Sequence, residues 1–109
     1  MCGIFSLLNK TKYTNDFIKL QFMLTKNRGP ESSVIKQVTE NILLGFHRLA
    51  INGYKDADSE QPFNINNIFL ICNGEIYNHK ELYSYLKITP KSKSDCEVIL
   101  HCYERFGIE

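Results

Sequence analysis

No charge of one sign predominates in this 109-residue sequence, because 13 Lys and Arg residues stand against 12 Asp and Glu residues, for a net charge of +1. A chain with this balance has no overall field that attracts nucleic acid or an acidic membrane. Its longest apolar runs, such as Ile68–Cys72, are far too short to cross a bilayer. The amino terminus also lacks the basic, apolar leader of a secretory signal peptide. These absences predict a cytoplasmic protein that binds neither nucleic acid nor membranes.

The sequence has no C-x-x-C pair, which excludes a zinc ribbon and a thioredoxin-like redox motif. The four cysteines lie instead at positions 2, 72, 96 and 102. Two disulfides would use all four, but nothing in the sequence indicates secretion, so we expect reduced thiols. His47, His79 and His101 are widely spaced and form no metal set with cysteine or carboxylate residues. We therefore expect structural roles for these histidines and no bound metal.

Repeats and low-complexity tracts are absent as well, and the composition of 43% hydrophobic, 12% aromatic and 23% charged residues is that of one small globular domain. Apolar patterning predicts strands at Cys2–Leu8, Val34–Val38, Ile42–Ile51 and Ile68–Cys72, the middle two forming a hairpin. Helical spacing begins at Asp16. Two further helices follow Asn78 and Ser94. The sequence therefore predicts an α+β domain.

The helix boundaries have specific signals. Thr14 or Asn15 can cap the first helix, whose apolar face is predicted to comprise Phe17, Leu20 and Leu24. Asn78 with Glu81, and Ser94 with Glu97, have the spacing of a capping box. The last helix is predicted to bury Val98, Ile99, Cys102 and Phe106 and to stop at Gly107.

Cys2 is the first candidate for chemistry. A small residue after the initiator methionine normally permits removal of Met1, which leaves Cys2 with a thiol and a free α-amine. That amine has an ordinary pKa of about 7.7–8.0, so it can take the thiol proton near neutral pH. The alternative interpretation of Cys2 alone is a small buried residue on a strand.

Three other positions have both a structural and a functional interpretation. Asn73–Gly74 is typical of a tight hairpin turn, but at the end of a strand it can also direct an amide and an N–H at an oxyanion. Arg48 within an apolar strand either extends to solvent or meets an anion such as a carboxylate. Asp95 beside the Ser94 cap either stabilises a helix start or binds a ligand's ammonium group.

Taken together, six segments resemble the glutaminase domain of class II glutamine amidotransferases, and most closely that of glutamine-dependent asparagine synthetases. They occur in the family's order and extend along the whole chain. Glu31 stands where the family usually has aspartate, and Asn27 where histidine is common. The segments are Met1–Phe5, Arg28–Pro30, His47–Ile51, Gln61–Pro62, Asn73–His79 and Ser94–Ile99.

The resemblance implies a role for each matching residue. Cys2 would attack the side-chain amide of L-glutamine to form a thioester, and water would then release glutamate. The Asn73 side chain and the Gly74 N–H would form the oxyanion hole. Substrate binding would involve Arg48 at the α-carboxylate, Glu75 and Asp95 at the α-ammonium, and a pocket wall containing Leu49, Ile51 and Asn52.

The resemblance also implies a fold and partners. The fold is the four-layer αββα sandwich of N-terminal nucleophile hydrolases, and residues 1–109 are expected to form only part of such a domain. The rest of that domain and the synthetase domain, which would bind ATP and Mg²⁺, lie outside the sequence, so no cofactor is expected here. A synthetase domain or subunit is the expected partner, and the oligomeric state is open.

Two other functions are compatible with these residues. A truncated and catalytically silent remnant could serve as a binding or interaction module, since open sheet edges promote association. An amidotransferase half for another ammonia acceptor is the second alternative.

Overall fold

The computed structural model describes residues 2–50 and 56–108, and within these ranges it contains two antiparallel sheets and three α-helices. The expected mixture of helix and sheet is therefore confirmed. Short 3-10 turns join several of the elements. In chain order the strands and helices are β1 (Gly3–Leu8), α1 (Asn15–Met23), β2 (Ser32–Gln37), β3 (Ile42–Arg48), β4 (Phe63–Ile65), β5 (Ile68–Leu70), α2 (His79–Leu86) and α3 (Val98–Phe106).

The larger sheet has the strand order β1-β3-β2, with antiparallel pairing throughout. The predicted first strand and the β2–β3 hairpin are confirmed. However, β3 ends at Arg48 and not at Ile51. The physical reason is that the Leu49 N–H and C=O both engage the Cys2 thiol instead of a neighbouring strand.

Helix α1 begins as expected but buries a different face. The Thr14 hydroxyl accepts a hydrogen bond from the Phe17 N–H at 3.2 Å, so the predicted cap is confirmed. Ile18 and Phe22 are the buried residues, and the predicted face of Phe17, Leu20 and Leu24 is exposed. That prediction was wrong because helical spacing alone does not identify the stripe that meets the sheet.

The shape of the sheet selects the buried face of α1. Gly45 has no side chain, and the Phe22 ring occupies the space above it: a Cβ built at Gly45 would lie only 2.6 Å from that ring. The Phe22 ring also stacks on His47, with 4.0 Å between ring centroids. His47 is fully buried, with its ring nitrogens 2.7 Å from the Ser33 hydroxyl and 2.8 Å from the Phe22 carbonyl. The expected structural role of His47 is thus confirmed.

The second sheet contains a strand, β4, that the sequence pattern did not predict. β4 pairs with β5 through Phe63↔Leu70, and Asn66 and Asn67 form the turn with φ values of 51° and 63°. Two consecutive positive φ angles are typical of a type I′ hairpin turn, and asparagine tolerates them. The Asn-Asn dipeptide was therefore the signal for this hairpin. Helix α3 covers the sheet through Leu100, which clusters with Phe63.

The two predicted capping boxes do not form. The Asn78 side chain makes no cap hydrogen bond. The Ser94 hydroxyl does accept a bond from the Cys96 N–H at 3.3 Å, but the Ser94 N–H donates to the Ser92 hydroxyl at 3.2 Å and not to Glu97. The Glu97 carboxylate instead accepts bonds from the Lys91 and Ser92 N–H groups at 2.9 and 2.6 Å. The requirement to satisfy these buried N–H groups outweighs the local helix-start pattern.

Glu97 is a buried charge that the protein stabilises with hydrogen bonds. Burial would raise the pKa of the Glu97 carboxyl, but the bonds from Lys91, Ser92 and His101 outweigh burial and hold that pKa below its usual value. The buried residues of helix α3 are Val98, Leu100 and His101, the last of which lies next to Glu97. The predicted Cys102 is only half-buried and the predicted Phe106 is exposed. The helix ends at Gly107 (φ 77°), as predicted.

Gly29 is required by the close approach of two backbone segments. Pro30 keeps this residue out of the helical region (φ −153°, ψ 83°), and a Cβ here would lie 2.1 Å from the His47 carbonyl oxygen. We expect Gly29→Ala to lower the free energy of unfolding by roughly 1–3 kcal/mol, because backbone atoms must move. Urea unfolding measures this, with Gly74→Ala as the control, since its added Cβ meets only the Cys72 sulfur at 3.8 Å. Equal stability of the two variants would contradict the prediction.

Candidate active site

A cleft of about 370 Å³ lies beside the amino terminus, at the end of β3 and between the segments that follow β5 and precede α3. Of the residues that the resemblance assigned to glutamine, Ile51 and Asn52 lie outside the described residues. The structure brings the others together in the wall of this one cleft: Cys2, Arg48, Leu49, Asn73, Gly74, Glu75 and Asp95.

Cys2 is held at both its nitrogen and its sulfur. The pairing of Gly3 with His47 places Cys2 beside the end of β3. There the Cys2 Sγ accepts a hydrogen bond from the Leu49 N–H at 3.3 Å and lies 3.4 Å from the Leu49 carbonyl oxygen. The Cys2 N–H donates to the Asn73 Oδ1 at 2.9 Å. The Leu49 N–H is thus a donor that a thiolate at Cys2 can use.

The contact with Cys2 also orients the Asn73 amide. Because Oδ1 faces the Cys2 nitrogen, the Nδ2 group is directed away from it and can donate to another acceptor. The alternative interpretation of Asn73–Gly74 as a hairpin turn was wrong: among the described residues, the next regular element after β5 is helix α2. The Gly74 carbonyl accepts a bond from the Cys96 thiol at 3.4 Å, which ties this segment to the start of α3.

Arg48 lies in the cleft wall, and its Nη1 donates to the Asp56 carbonyl oxygen at 3.2 Å. The Asp56 carboxylate in turn accepts a bond from the Ser59 hydroxyl at 2.5 Å and one from the Lys93 N–H at 2.9 Å. These bonds, the Ser59 bond foremost, lower the pKa of the Asp56 carboxyl. Asp56 therefore connects the arginine to the loop that leads to Asp95.

Asp95 is the buried acid of the cleft, with 7% of its surface exposed. Its Oδ2 accepts a bond from the Ile76 N–H at 2.5 Å, which holds the carboxylate in place. Glu75 is exposed and lines the same cleft. One guanidinium and two carboxylates around one cleft are complementary to a ligand that carries both a carboxylate and an ammonium group, as a free amino acid does.

Glu31 supports the cleft from outside. Its Oε2 accepts a hydrogen bond from the Ala50 N–H at 2.9 Å, directly after the Leu49 peptide that contacts Cys2. The Glu31 N–H also donates to the Arg48 carbonyl at 3.1 Å. The departure from the family's usual aspartate therefore leaves a carboxylate that reaches the backbone.

The sequence reading assigned no role to several residues of the cleft wall. Gln61 is one of the buried members of this group, with 5% of its surface exposed, and its side chain binds the backbone of Cys72. The only sequence signal for Gln61 was its place before Pro62 in a matching segment. Ala50, Tyr77, Ser94 and Cys96 also lie within matching segments, whereas nothing in the sequence indicated that Phe46, Ser59 and Cys72 would line the cleft.

All four cysteines are free thiols. In residues 2–50 and 56–108, no three His, Cys, Asp or Glu side chains come together in a way that could hold a metal ion. None of the helices that the structure describes combines the length and apolar character that a membrane crossing needs.

Comparisons with known proteins give a consistent result. A family model described as a glutamine amidotransferase domain matches residues 1–109. The chain is 39% identical to a probable glutamine-hydrolysing asparagine synthetase of Acanthamoeba polyphaga mimivirus, with 100% of this chain and 21% of the relative covered. It is 35% identical to the glutamine-hydrolysing asparagine synthetase of Bos taurus, with 100% of this chain and 20% of the relative covered. It is 39% identical to a probable glutamine-hydrolysing asparagine synthetase of Dictyostelium discoideum, with 98% of this chain and 20% of the relative covered. The chain thus spans about a fifth of the length of these relatives.

The lowered pKa of Asp56 leads to a pH prediction. The bond from the Lys93 N–H to the carboxylate is present at neutral pH and is lost as the pH falls through the folded-state pKa, which lies below the ordinary value of 3.8. We expect the Lys93 amide resonance to titrate with a midpoint below pH 3.8 by NMR. Asp56→Asn should abolish this titration. A midpoint at or above 3.8 in the unsubstituted protein would contradict the interpretation.

Proposed function

Because this chain belongs to the glutamine amidotransferase domain family, we propose that it is a glutaminase of the asparagine synthetase type, which hydrolyses the side-chain amide of L-glutamine. The observation that carries the proposal is the cleft that holds the Cys2 thiol together with the Arg48 guanidinium and the Asp95 carboxylate. The names of the relatives, glutamine-hydrolysing asparagine synthetases, support the same substrate.

The proposed reaction begins when removal of Met1 makes the Cys2 nitrogen a free α-amine. This amine takes the thiol proton, and the sulfur attacks the amide carbon of glutamine. The Asn73 Nδ2 and the Gly74 N–H stabilise the oxyanion that forms. The amine then delivers the proton to the departing nitrogen, releasing ammonia and leaving a thioester. Water hydrolyses the thioester to glutamate and restores the Cys2 thiol.

The Cys2 contacts support these roles. The nitrogen that would become the base lies 2.9 Å from Asn73 Oδ1, an acceptor that fits an amine carrying a proton. The same contact turns Asn73 Nδ2 away from Cys2, leaving it as a donor for the oxyanion. The thiol rests against the Leu49 peptide, whose N–H favours the thiolate before attack.

Recognition of glutamine would use the charges of the cleft. We assign the α-carboxylate to Arg48, whose planar group suits two parallel hydrogen bonds. The α-ammonium is assigned to Asp95 and Glu75, and Leu49 contributes to the pocket wall. Ile51 and Asn52, which the resemblance also assigns to glutamine, lie outside the described residues. The bond from the Ile76 N–H holds the Asp95 carboxylate in one orientation before substrate binds, which reduces the entropy cost of binding.

A complete enzyme of this type would pass ammonia to a synthetase domain or subunit, which uses ATP and Mg²⁺ to amidate aspartate. We propose that residues 1–109 are a partial amidotransferase domain. The relatives, of which the chain spans about a fifth, extend well beyond the matched part. An amidotransferase acting on another acceptor would use the same glutamine site.

We extend the proposal to the four-layer αββα sandwich of N-terminal nucleophile hydrolases. Phe22 of α1 packs over Gly45 of the larger sheet. Lys36, on the opposite face of that sheet, lies over the Phe69 ring of the smaller one at 5.2 Å. Leu100 of α3 covers the smaller sheet from the other side. This succession of layers supports the proposed architecture.

One observation favours the second candidate, an interaction module without catalysis. Phe17 and Leu20 of α1, together with Leu24 at its C-cap, form an exposed apolar face, with 47%, 61% and 69% of their surfaces exposed. Exposed apolar patches often mark protein contacts. Such a module does not need its thiol, so Cys2→Ala would leave its binding unchanged, whereas the same change abolishes a glutaminase.

The proposal predicts covalent labelling at Cys2 by a diazoketone analogue of glutamine. Intact mass spectrometry should show loss of Met1 and one adduct per chain, absent in Cys2→Ala. L-Glutamine should prevent the labelling. A glutamine analogue that lacks the α-amino group should not prevent it, because Asp95 and Glu75 are proposed to bind the ammonium. A folded chain that keeps Met1 or gains no adduct would contradict the proposal.

Arg48→Ala tests substrate recognition separately from thiol chemistry. We expect labelling by the glutamine analogue to slow at least roughly tenfold, since a charge-assisted hydrogen bond contributes about 1.5–3 kcal/mol. Labelling of Cys2 by iodoacetamide, which does not need the α-carboxylate, should be unchanged. An equal loss with both reagents would indicate damage to the fold, whereas unchanged labelling by the glutamine analogue would contradict the assigned role.

Asn73→Ala should lower kcat for glutamine hydrolysis roughly 100- to 1000-fold with a smaller effect on KM, as expected for loss of an oxyanion donor. The control is Asn64→Ala, at an exposed asparagine of β4 away from the cleft. Ammonia release measures both. An unchanged kcat in Asn73→Ala would remove Asn73 from the oxyanion hole.

A further inference from the structure

The side chain of Gln61 pairs with a peptide as a neighbouring strand would. Its Oε1 accepts a hydrogen bond from the Cys72 N–H at 2.6 Å, and its Nε2 donates to the Cys72 carbonyl at 3.1 Å. Gln61 is buried, with 5% of its surface exposed, although it lies in the cleft wall. Both ends of the amide are therefore committed to one residue of the backbone.

Cys72 needs this partner because the sheet ends before it. Strand β5 stops at Leu70, and no strand is paired with Cys72 in the part of the chain that the structure describes. Its N–H and C=O would otherwise be partly buried without a protein partner, which costs free energy. The Gln61 amide takes the place of a strand and fixes the backbone at Cys72, the residue that precedes Asn73.

The position of Asn73 depends on this fixed backbone. Asn73 is exposed, and its side chain accepts the bond from the Cys2 N–H. The Gly74 N–H belongs to the peptide that joins it to Asn73, so its direction follows the backbone of the same segment. The fixed Cys72 backbone therefore constrains the direction of both proposed oxyanion donors, alongside the Cys2–Asn73 and Cys96–Gly74 hydrogen bonds.

We propose that Gln61 is a positioning residue of the oxyanion hole, acting through the Cys72 backbone and not by contact with the reacting atoms. The inference rests on the proposed glutaminase function. Arg48 and Asp95 are held by other contacts, through Asp56 and the Ile76 N–H. Loss of the Gln61 bonds therefore affects the transition state more than the binding of glutamine.

Two substitutions test the proposal with wild-type protein as reference. Gln61→Met keeps the length of the side chain but removes both bonds. Gln61→Glu keeps the shape but replaces the donor with a second oxygen that faces the Cys72 carbonyl. We expect kcat for glutamine hydrolysis to fall roughly 10- to 100-fold in each at about pH 7.5, since small misplacements of reacting groups have effects of this size. KM should change less than about threefold, because the groups that bind glutamine keep their own contacts.

Acid rescue separates positioning from general damage. When protonated, the carboxyl group introduced by Gln61→Glu has one O–H donor and one carbonyl acceptor, the same pattern as the amide. We therefore expect the ratio of kcat in Gln61→Glu to wild-type kcat to rise at least about fivefold between about pH 7.5 and pH 5.5. The matched control, Asn64→Asp, makes the same amide-to-acid change at an exposed position and should show a flat ratio. A flat ratio in Gln61→Glu, or a Gln61→Met protein with kcat within about twofold of wild type, would overturn the proposal.

Amide hydrogen exchange gives a readout that does not depend on activity. In Gln61→Met, the Cys72 N–H should exchange at least about tenfold faster than in wild type, while the Phe46 N–H in β3 keeps its protection. Unchanged protection at Cys72 would overturn the positioning role even if catalysis changed. If the wild-type protein has no glutaminase activity, the proposed function fails. Faster exchange at Cys72 in Gln61→Met would still show that the Gln61 side chain holds the Cys72 backbone.

Discussion

The antiparallel pairing of β1 with β3 is the constraint on which the site depends. Its register opposes Gly3 to His47, so the residue before Gly3 must lie beside the end of β3. A shift of one residue would turn the side chains of β1 to the other face of the sheet. On the other side of β3, the buried His47 ring joins the strand to Ser33 of β2 and to the Phe22 carbonyl of α1, which fixes β3 itself in place.

Outside the sheets, the cleft is built from irregular segments that side chains hold by their backbones. Gln61 binds Cys72, Asp95 binds the Ile76 N–H, and Glu97 binds the N–H groups of Lys91 and Ser92. Each is a polar side chain that the fold buries and satisfies with main-chain groups. This arrangement lets exposed loop residues present fixed donors to a ligand while the scaffold beneath them stays rigid.

Much of the fold could be read from local patterns. Alternation and turn residues were sufficient for β1 and for the β2–β3 hairpin, and the Thr14 cap and the Gly107 stop are local signals that the structure retains. The buried face of α1 was not readable, because Phe22 is selected by the space over Gly45, a residue on a strand that lies far along the chain. Glu97 had the spacing of a cap but binds the preceding loop, since unsatisfied buried N–H groups cost more than a lost local bond.

The sequence by itself determined the candidate residues Cys2, Arg48, Asn73 and Asp95 and the family to which the chain belongs, because these depend on chemical type and spacing alone. Only the tertiary structure decided that Cys2, Arg48, Asn73 and Asp95 surround one cleft, since strand register and loop contacts bring together residues that are distant along the chain. It also brought the Gln61 side chain to the Cys72 backbone, whereas the sequence showed Gln61 only as the residue before a proline. A side chain that replaces a strand can be recognised only where the backbone it supports lacks a partner.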